Sequence, residues 1–107
     1  MTSVEQQLDS LRSQFTAHAE RRIKEMRRLL ADLRGERTNV DALRQLRGHF
    51  HSFAGLGTTY GHPKSTELGD AGESRASHLL NETAAPVDED LTAWQRLVDA
   101  LEADLAS

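Results

Sequence analysis

The chain holds five histidines, His18, His49, His51, His62 and His78. Imidazole is the side chain whose ordinary pKa lies nearest neutrality, and it serves as metal ligand, general base or nucleophile. Two of the five open the run His49-Phe50-His51-Ser52-Phe53-Ala54-Gly55-Leu56-Gly57-Thr58-Thr59-Tyr60-Gly61. Metal ligation fits poorly. Residues two apart on a helix point about 200° away from each other and cannot grip one ion. There is no HExxH motif, and the absence of cysteine removes thiolate sites, disulfides and cysteine nucleophiles. No metal ligand and no cofactor is assigned. Serine hydrolysis lacks a GxSxG elbow. The stretch from Gly57 to Ser65 fails as a P-loop, because three residues separate Gly57 from Gly61 and Lys64 does not follow the second glycine. It fails GxGxxG as well, since Tyr60 stands where the last glycine should be.

Nucleophilic histidine chemistry remains. On a helix with His51 as origin, at about 100° per residue, Arg47 falls near −40°, Gly48 near +60°, Ala54 near −60°, Gly55 near +40° and Thr58 near −20°. Two glycines and an alanine therefore border His51 on its own face, with an arginine and a hydroxyl close by. Helix interiors disfavour glycine, so glycines here suggest that something large approaches the ring. The plainer reading is a surface histidine beside glycines used for helix packing. An exposed imidazole in such company suits attack on, and accommodation of, an anionic group.

The elements that must carry this face are helical. The chain has 107 residues, enough for one domain over 1–107. Hydrophobic residues make up 37%, lean beside the usual ~45–50%, so they must be well placed. A first helix is predicted from about Ser3 to Arg34, with Ser3 and Gln6 forming a capping box. Val4, Leu8, Leu11, Phe15, Ala19, Ile23, Met26, Leu30 and Leu33 recur every three or four residues along one face. The alternative is a break near Thr16–His18, giving a short extra N-terminal helix. Gly35 is the expected stop. A second helix follows Thr38 or Asn39, with Leu43, Leu46, Phe50 and Phe53 as its stripe.

A third helix follows Pro63. Its apolar residues are few, Leu68, Ala71, Leu79 and Leu80, and Gly69 and Gly72 each cost about 1 kcal/mol relative to Ala. It needs tertiary packing or the close approach of another helix. Asn81–Pro86 reads as a loop. The fourth helix starts near Val87 with the acidic turn Asp88-Glu89-Asp90, suited to the positive end of the helix dipole. Leu91, Trp94, Leu97, Val98, Leu101 and Leu105 form its stripe. The expected fold is all-α, an antiparallel up-down four-helix bundle, monomeric, with Phe15, Phe50, Phe53, Trp94 and Leu101 in one core.

The net charge of −4 argues against a nucleic-acid partner. The charge is uneven: residues 1–48 carry ten Lys/Arg and seven Asp/Glu, a net +3, whereas residues 49–107 carry three and ten, a net −7. Such asymmetry either follows from solvated helix faces or steers a charged partner to one end. No run of 18 apolar residues offers a membrane span, and MTSVEQQLDS has no signal core. A cytoplasmic location is expected.

The run from His51 resembles the histidine-containing phosphotransfer (HPt) domains of two-component phosphorelays. Their signature has the form H-x-[Leu/Phe]-K-G-x-[small]-x-x-x-G, matched here by His51, Phe53, Gly55, Gly57 and Gly61. His62, Pro63, Leu68 and Glu73 continue the likeness, which spans about Leu43–Glu73. His49 does not fit the spacing. One position departs: where the family commonly has lysine, this chain has Ala54. Bacterial members with H-S-[Leu]-A-G-x-G-x-T-[aromatic]-G share that departure.

The resemblance implies that His51 is phosphorylated; the helical projection places Arg47, Gly48, Ala54, Gly55 and Thr58 around it, and Lys64, at the start of the next helix, is the further candidate lining the site. Arg47 and Lys64 are the candidate replacement cations. The implied partner is the receiver domain of a response regulator or hybrid histidine kinase, whose own site would hold the Mg²⁺. By that reading the chain is a phosphotransfer intermediate and not an enzyme by itself. The alternatives are a degenerate HPt fold that only docks a receiver, and an unrelated helical interaction module.

Overall fold

The computed structural model describes residues 3–107. Four helices, α1 (Val4–Gly35), α2 (Val40–Leu56), α3 (Pro63–Asn81) and α4 (Asp88–Ala106), run in sequence, with a 3-10 turn at Thr58–Tyr60 between α2 and α3. Each packs on its neighbours in the order α1, α2, α3, α4 and back to α1. Cross-links fix the directions. Arg27 meets Asp99 and Glu102, and Arg37 meets Asp88, so α1 and α4 are antiparallel. Ser65 donates to Asp104 and Arg75 to Asp90, so α3 and α4 are too. The result is an antiparallel up-down four-helix bundle, 53 × 21 × 21 Å.

Caps follow the chemistry of their residues. Ser3 and Gln6 form the reciprocal box at the start of α1. Asn39 accepts from the Ala42 N–H and starts α2. Asp90 accepts from the Val87 N–H, and the same buried carboxylate takes Arg75, so the start of α4 is tied to α3. At the other end of α1, Gly35 closes the helix without a left-handed turn. Glu36 is extended and its N–H returns to the Asp32 carbonyl.

The core contains Phe15, Phe50, Phe53, Trp94 and Leu101 together, with Ile23, Met26, Leu30, Leu33 and Leu46. Burying one such side chain contributes about 1.5–3 kcal/mol. Helix α1 is continuous through Thr16–His18, as its expected span from Ser3 to Arg34 requires, and the alternative of a break there is not realised, because Phe15 and Ala19 are both buried and hold that turn against the bundle. Val4, Leu8 and Leu11 continue the apolar stripe but are exposed, at 71%, 46% and 47%. With 32 residues against 17 and 19 in its neighbours α2 and α4, α1 outruns them, and its first turns have nothing to pack on.

The glycines of α3 answer its apolar poverty. A Cβ at Gly69 would stand 2.4 Å from the Ala54 nitrogen and 2.6 Å from the Phe50 carbonyl oxygen. One at Gly72 would stand 2.3 Å from the Phe50 ring. Helices α2 and α3 thus meet backbone to backbone at Gly69. The Trp94 indole N–H donates to the Gly72 carbonyl at 3.2 Å, bringing α4 onto the same spot. Ala76, not Ala71, is the alanine that α3 buries.

Candidate functional site

Helix α2 turns Leu43, Leu46, Phe50 and Phe53 inward, which leaves His51 on the outer side. Its side chain is 71% exposed. The close approach at Gly69 carries Glu73, one turn further along α3, to the His51 ring. Nδ1 lies 2.8 Å from Glu73 Oε1. An ionised carboxylate only accepts, so Nδ1 carries the hydrogen and donates it. In the neutral ring the lone pair then sits on Nε2, the nitrogen left free for chemistry.

Gly48 and Gly55 flank this ring, and a Cβ at either would meet nothing within 4 Å. They serve no helix contact, in contrast to Gly69 and Gly72. The α2 surface beside His51 is therefore bare on both sides. Ala54 is partly buried, with its backbone nitrogen under Gly69.

The other candidates sit less close. Arg47 is exposed, one turn before His51, and pairs with no carboxylate within 4.0 Å among the described residues. Side chains on a helix lean toward its N-terminus, which takes Arg47 away from the ring. Thr58 lies past the end of α2, in the 3-10 turn, so its projected place on the helix face does not exist. Its hydroxyl and N–H both donate to Thr66 Oγ1, at 3.0 and 2.8 Å. Lys64 is exposed near the start of α3, nine residues before Glu73. That is about 13 Å along the helix, beyond the reach of its side chain to His51.

His49 lives differently. It turns toward α1, where Arg22 donates to its Nδ1 at 3.1 Å. Burial pushes its pKa below the usual 6.5, and the Arg22 charge adds to that. His49 and His51 thus face different helices, as their spacing requires. Among the described residues, no three His, Asp or Glu side chains converge as metal ligands would. Among the described residues, no helix is long and apolar enough to cross a membrane.

Spacing alone did not connect His51 to Glu73, because they lie 22 positions apart. The signal in the sequence is Gly69 four residues before Glu73, which marks the turn where α3 comes closest. A second cluster was also missed. His18, Arg21 and Arg22 line one side of α1 and face His49; the i, i+3, i+4 spacing was visible, but not the helix opposite.

The assembled site presents one oriented imidazole, open to solvent at Nε2, with a carboxylate behind Nδ1 to balance positive charge as Nε2 forms a bond. Such an imidazole has the chemistry of a nucleophile. Comparison with protein-family profiles, curated proteins and solved structures finds no match to this chain.

Proposed function

We propose that the domain is a phosphorelay intermediate of the HPt kind, taking a phosphoryl group from a receiver-domain phosphoaspartate onto His51 and passing it to a second receiver. The observation that carries this reading is the His51–Glu73 bond, with Nε2 facing solvent between two bare glycines. In the transfer Nε2 bonds to phosphorus, the bond from phosphorus to the aspartyl oxygen breaks, and the aspartate leaves as carboxylate. Glu73 keeps the proton on Nδ1 and offsets the charge that the ring gains. The dissociative phosphoryl group needs electrostatic support. On this reading the Mg²⁺ and cations of the receiver supply it, and the domain acts without a cofactor of its own, as a monomer in the cytoplasm.

A second reading, docking without transfer, is favoured by Ala54 and by the lack of any cation held at His51. One experiment separates the two. The chain is incubated with a phosphorylated receiver domain, and acid-labile, base-stable phosphate is mapped by mass spectrometry. Phosphate on His51 is the expected result. A stable complex with no phosphohistidine establishes docking alone, and neither complex nor phosphate removes the HPt reading.

A further inference from the structure

The missed cluster on α1 forms a built cleft. His18, Arg21 and Arg22 stand at i, i+3 and i+4, one side of the helix, and with His49 of α2 they line a shallow cavity of about 210 Å³. All four lining side chains are basic. Arg21 Nη2 lies 2.6 Å from His18 Nδ1, and Arg22 Nη1 lies 3.1 Å from His49 Nδ1. Guanidinium has no acceptor, so each arginine donates and each ring accepts as a neutral base. A neutral ring cancels no charge. Among the described residues neither Arg21 nor Arg22 has a carboxylate within 4.0 Å, and Glu25, the acid whose charge reaches His49, is taken by Arg28. Two positive charges, with several N–H donors unspent, therefore face one cavity.

Beside that cavity lies a larger groove of about 380 Å³ between α1, α2 and the 3-10 turn, and the two share His18 and Arg22 in their linings. Leu11, Phe15, Phe53, Leu56 and Tyr60 make the apolar part of the groove wall, with Gln14 and Ser52 as further polar lining. The Phe15 and Tyr60 rings are stacked at 4.7 Å, which makes one wall flat and firm. Leu11 and Leu56 remain 47% and 42% exposed with nothing covering them.

We propose that this paired cleft and groove is a binding site for an amphiphilic anion, with a phosphate head held by His18, Arg21, Arg22 and His49 and an apolar chain lying along Leu11, Phe15, Leu56 and Tyr60. Charge sets the head and the apolar walls set the body. The site is separate from His51, which turns to α3. His49, held neutral by burial and by Arg22, gains a counter-charge when the head binds, so its pKa rises. Arg22, Glu25 and Arg28 are the charged groups that act on it, and none of them changes charge near neutral pH.

The test is an NMR titration of the full chain with octyl phosphate below its critical micelle concentration, beside inorganic phosphate and octanol. Octyl phosphate should bind at least about 10-fold more tightly than either. Its binding should move the His18 and His49 ring signals together with the Leu11 and Leu56 methyl signals. It should also raise the His49 titration midpoint. Arg21→Gln, at an exposed position, and the double variant with Arg22→Gln should each weaken binding, the double by about 10-fold or more, with unchanged circular dichroism. Cosedimentation with phosphatidylglycerol vesicles identifies the head as a lipid headgroup; binding of the monomer without vesicle binding identifies a free amphiphile. Equal affinity for octyl phosphate and inorganic phosphate, methyl shifts without histidine shifts, or full affinity in a folded double variant would each overturn the proposal.

Discussion

A histidine offers a defined nitrogen to a reaction only when its other nitrogen is occupied, and at His51 the occupant is Glu73. Two predictions follow at this scale from the proposed transfer. His51→Gln should abolish phosphoryl acceptance with little change in stability, because the ring is exposed; His49→Gln should keep acceptance. Phosphate on His49, or equal loss from both, sinks the assignment. Glu73→Gln retains an acceptor for the Nδ1 hydrogen but loses the charge, so transfer should slow about 10-fold, equivalent to about 1.4 kcal/mol. Glu73→Ala should be slower still and should mix the two ring tautomers. Ring ¹⁵N shifts read that mixture directly; an unmixed Nε2 lone pair in Glu73→Ala would show that Glu73 does not position the ring. At this scale the sequence showed the histidine and its small neighbours. It misplaced Thr58, because the helical projection was carried past Leu56, where α2 ends, and it offered Lys64, which the length of α3 keeps at a distance.

Among elements, the decisive contact is α2 against α3. Gly69 and Gly72 were legible as a cost to α3 that some close approach must offset, yet only the fold shows that the Phe50 ring and the Ala54 backbone fill the space. Gly48 and Gly55 carry the same letter and do the opposite, since they border open solvent. Periodicity marks which residues share a face, but not where a neighbouring helix stops, which is why Val4, Leu8 and Leu11 share the apolar face and yet are exposed. A paired substitution separates the two kinds of glycine. Gly55→Leu should raise stability by several tenths of a kcal/mol through helix propensity while blocking the proposed transfer, because the side chain stands where the proposed receiver would come. Gly69→Ala should cost about 1–3 kcal/mol by overpacking and should weaken the His51–Glu73 bond. Chemical denaturation with a transfer assay checks both; a Gly55→Leu variant of full activity would show that nothing approaches along that face.

For the molecule as a whole, three stripes of apolar residues and a glycine-bearing third helix were enough to give the bundle and its central aromatics. Phe50 sits at its centre, fully buried between α2 and Gly72. Phe50→Ala should cost about 3–5 kcal/mol, a large part of the 5–15 kcal/mol of a typical domain; a loss under about 1 kcal/mol by urea unfolding would contradict its place in the core. Surface pairs such as Arg27 with Asp99 and Glu102 contribute little each. Acid should weaken the fold partly through His49. Its folded pKa lies below 6.5, so the unfolded chain takes the proton first, and that share of stability is complete above about pH 6.5 and lost as pH falls toward the lower folded value. His49→Gln should therefore lose less stability than the parent chain between pH 7.5 and 5.5. An identical loss in the two chains would place the acid sensitivity elsewhere.

The backbone contact at Gly69 has a consequence for how such a domain can diverge. The direction of the reactive nitrogen is fixed from beneath, by how near two helices lie, and not by the side chains a partner would touch. On the proposed function, Arg44, Arg47 and Ser52 can then be exchanged, and with them the choice of partner, while Gly69, Glu73 and His51 must stay together. Recognition and reactivity are, on that proposal, separate properties of one helix, and the partner-facing side chains can be changed without disturbing the chemistry.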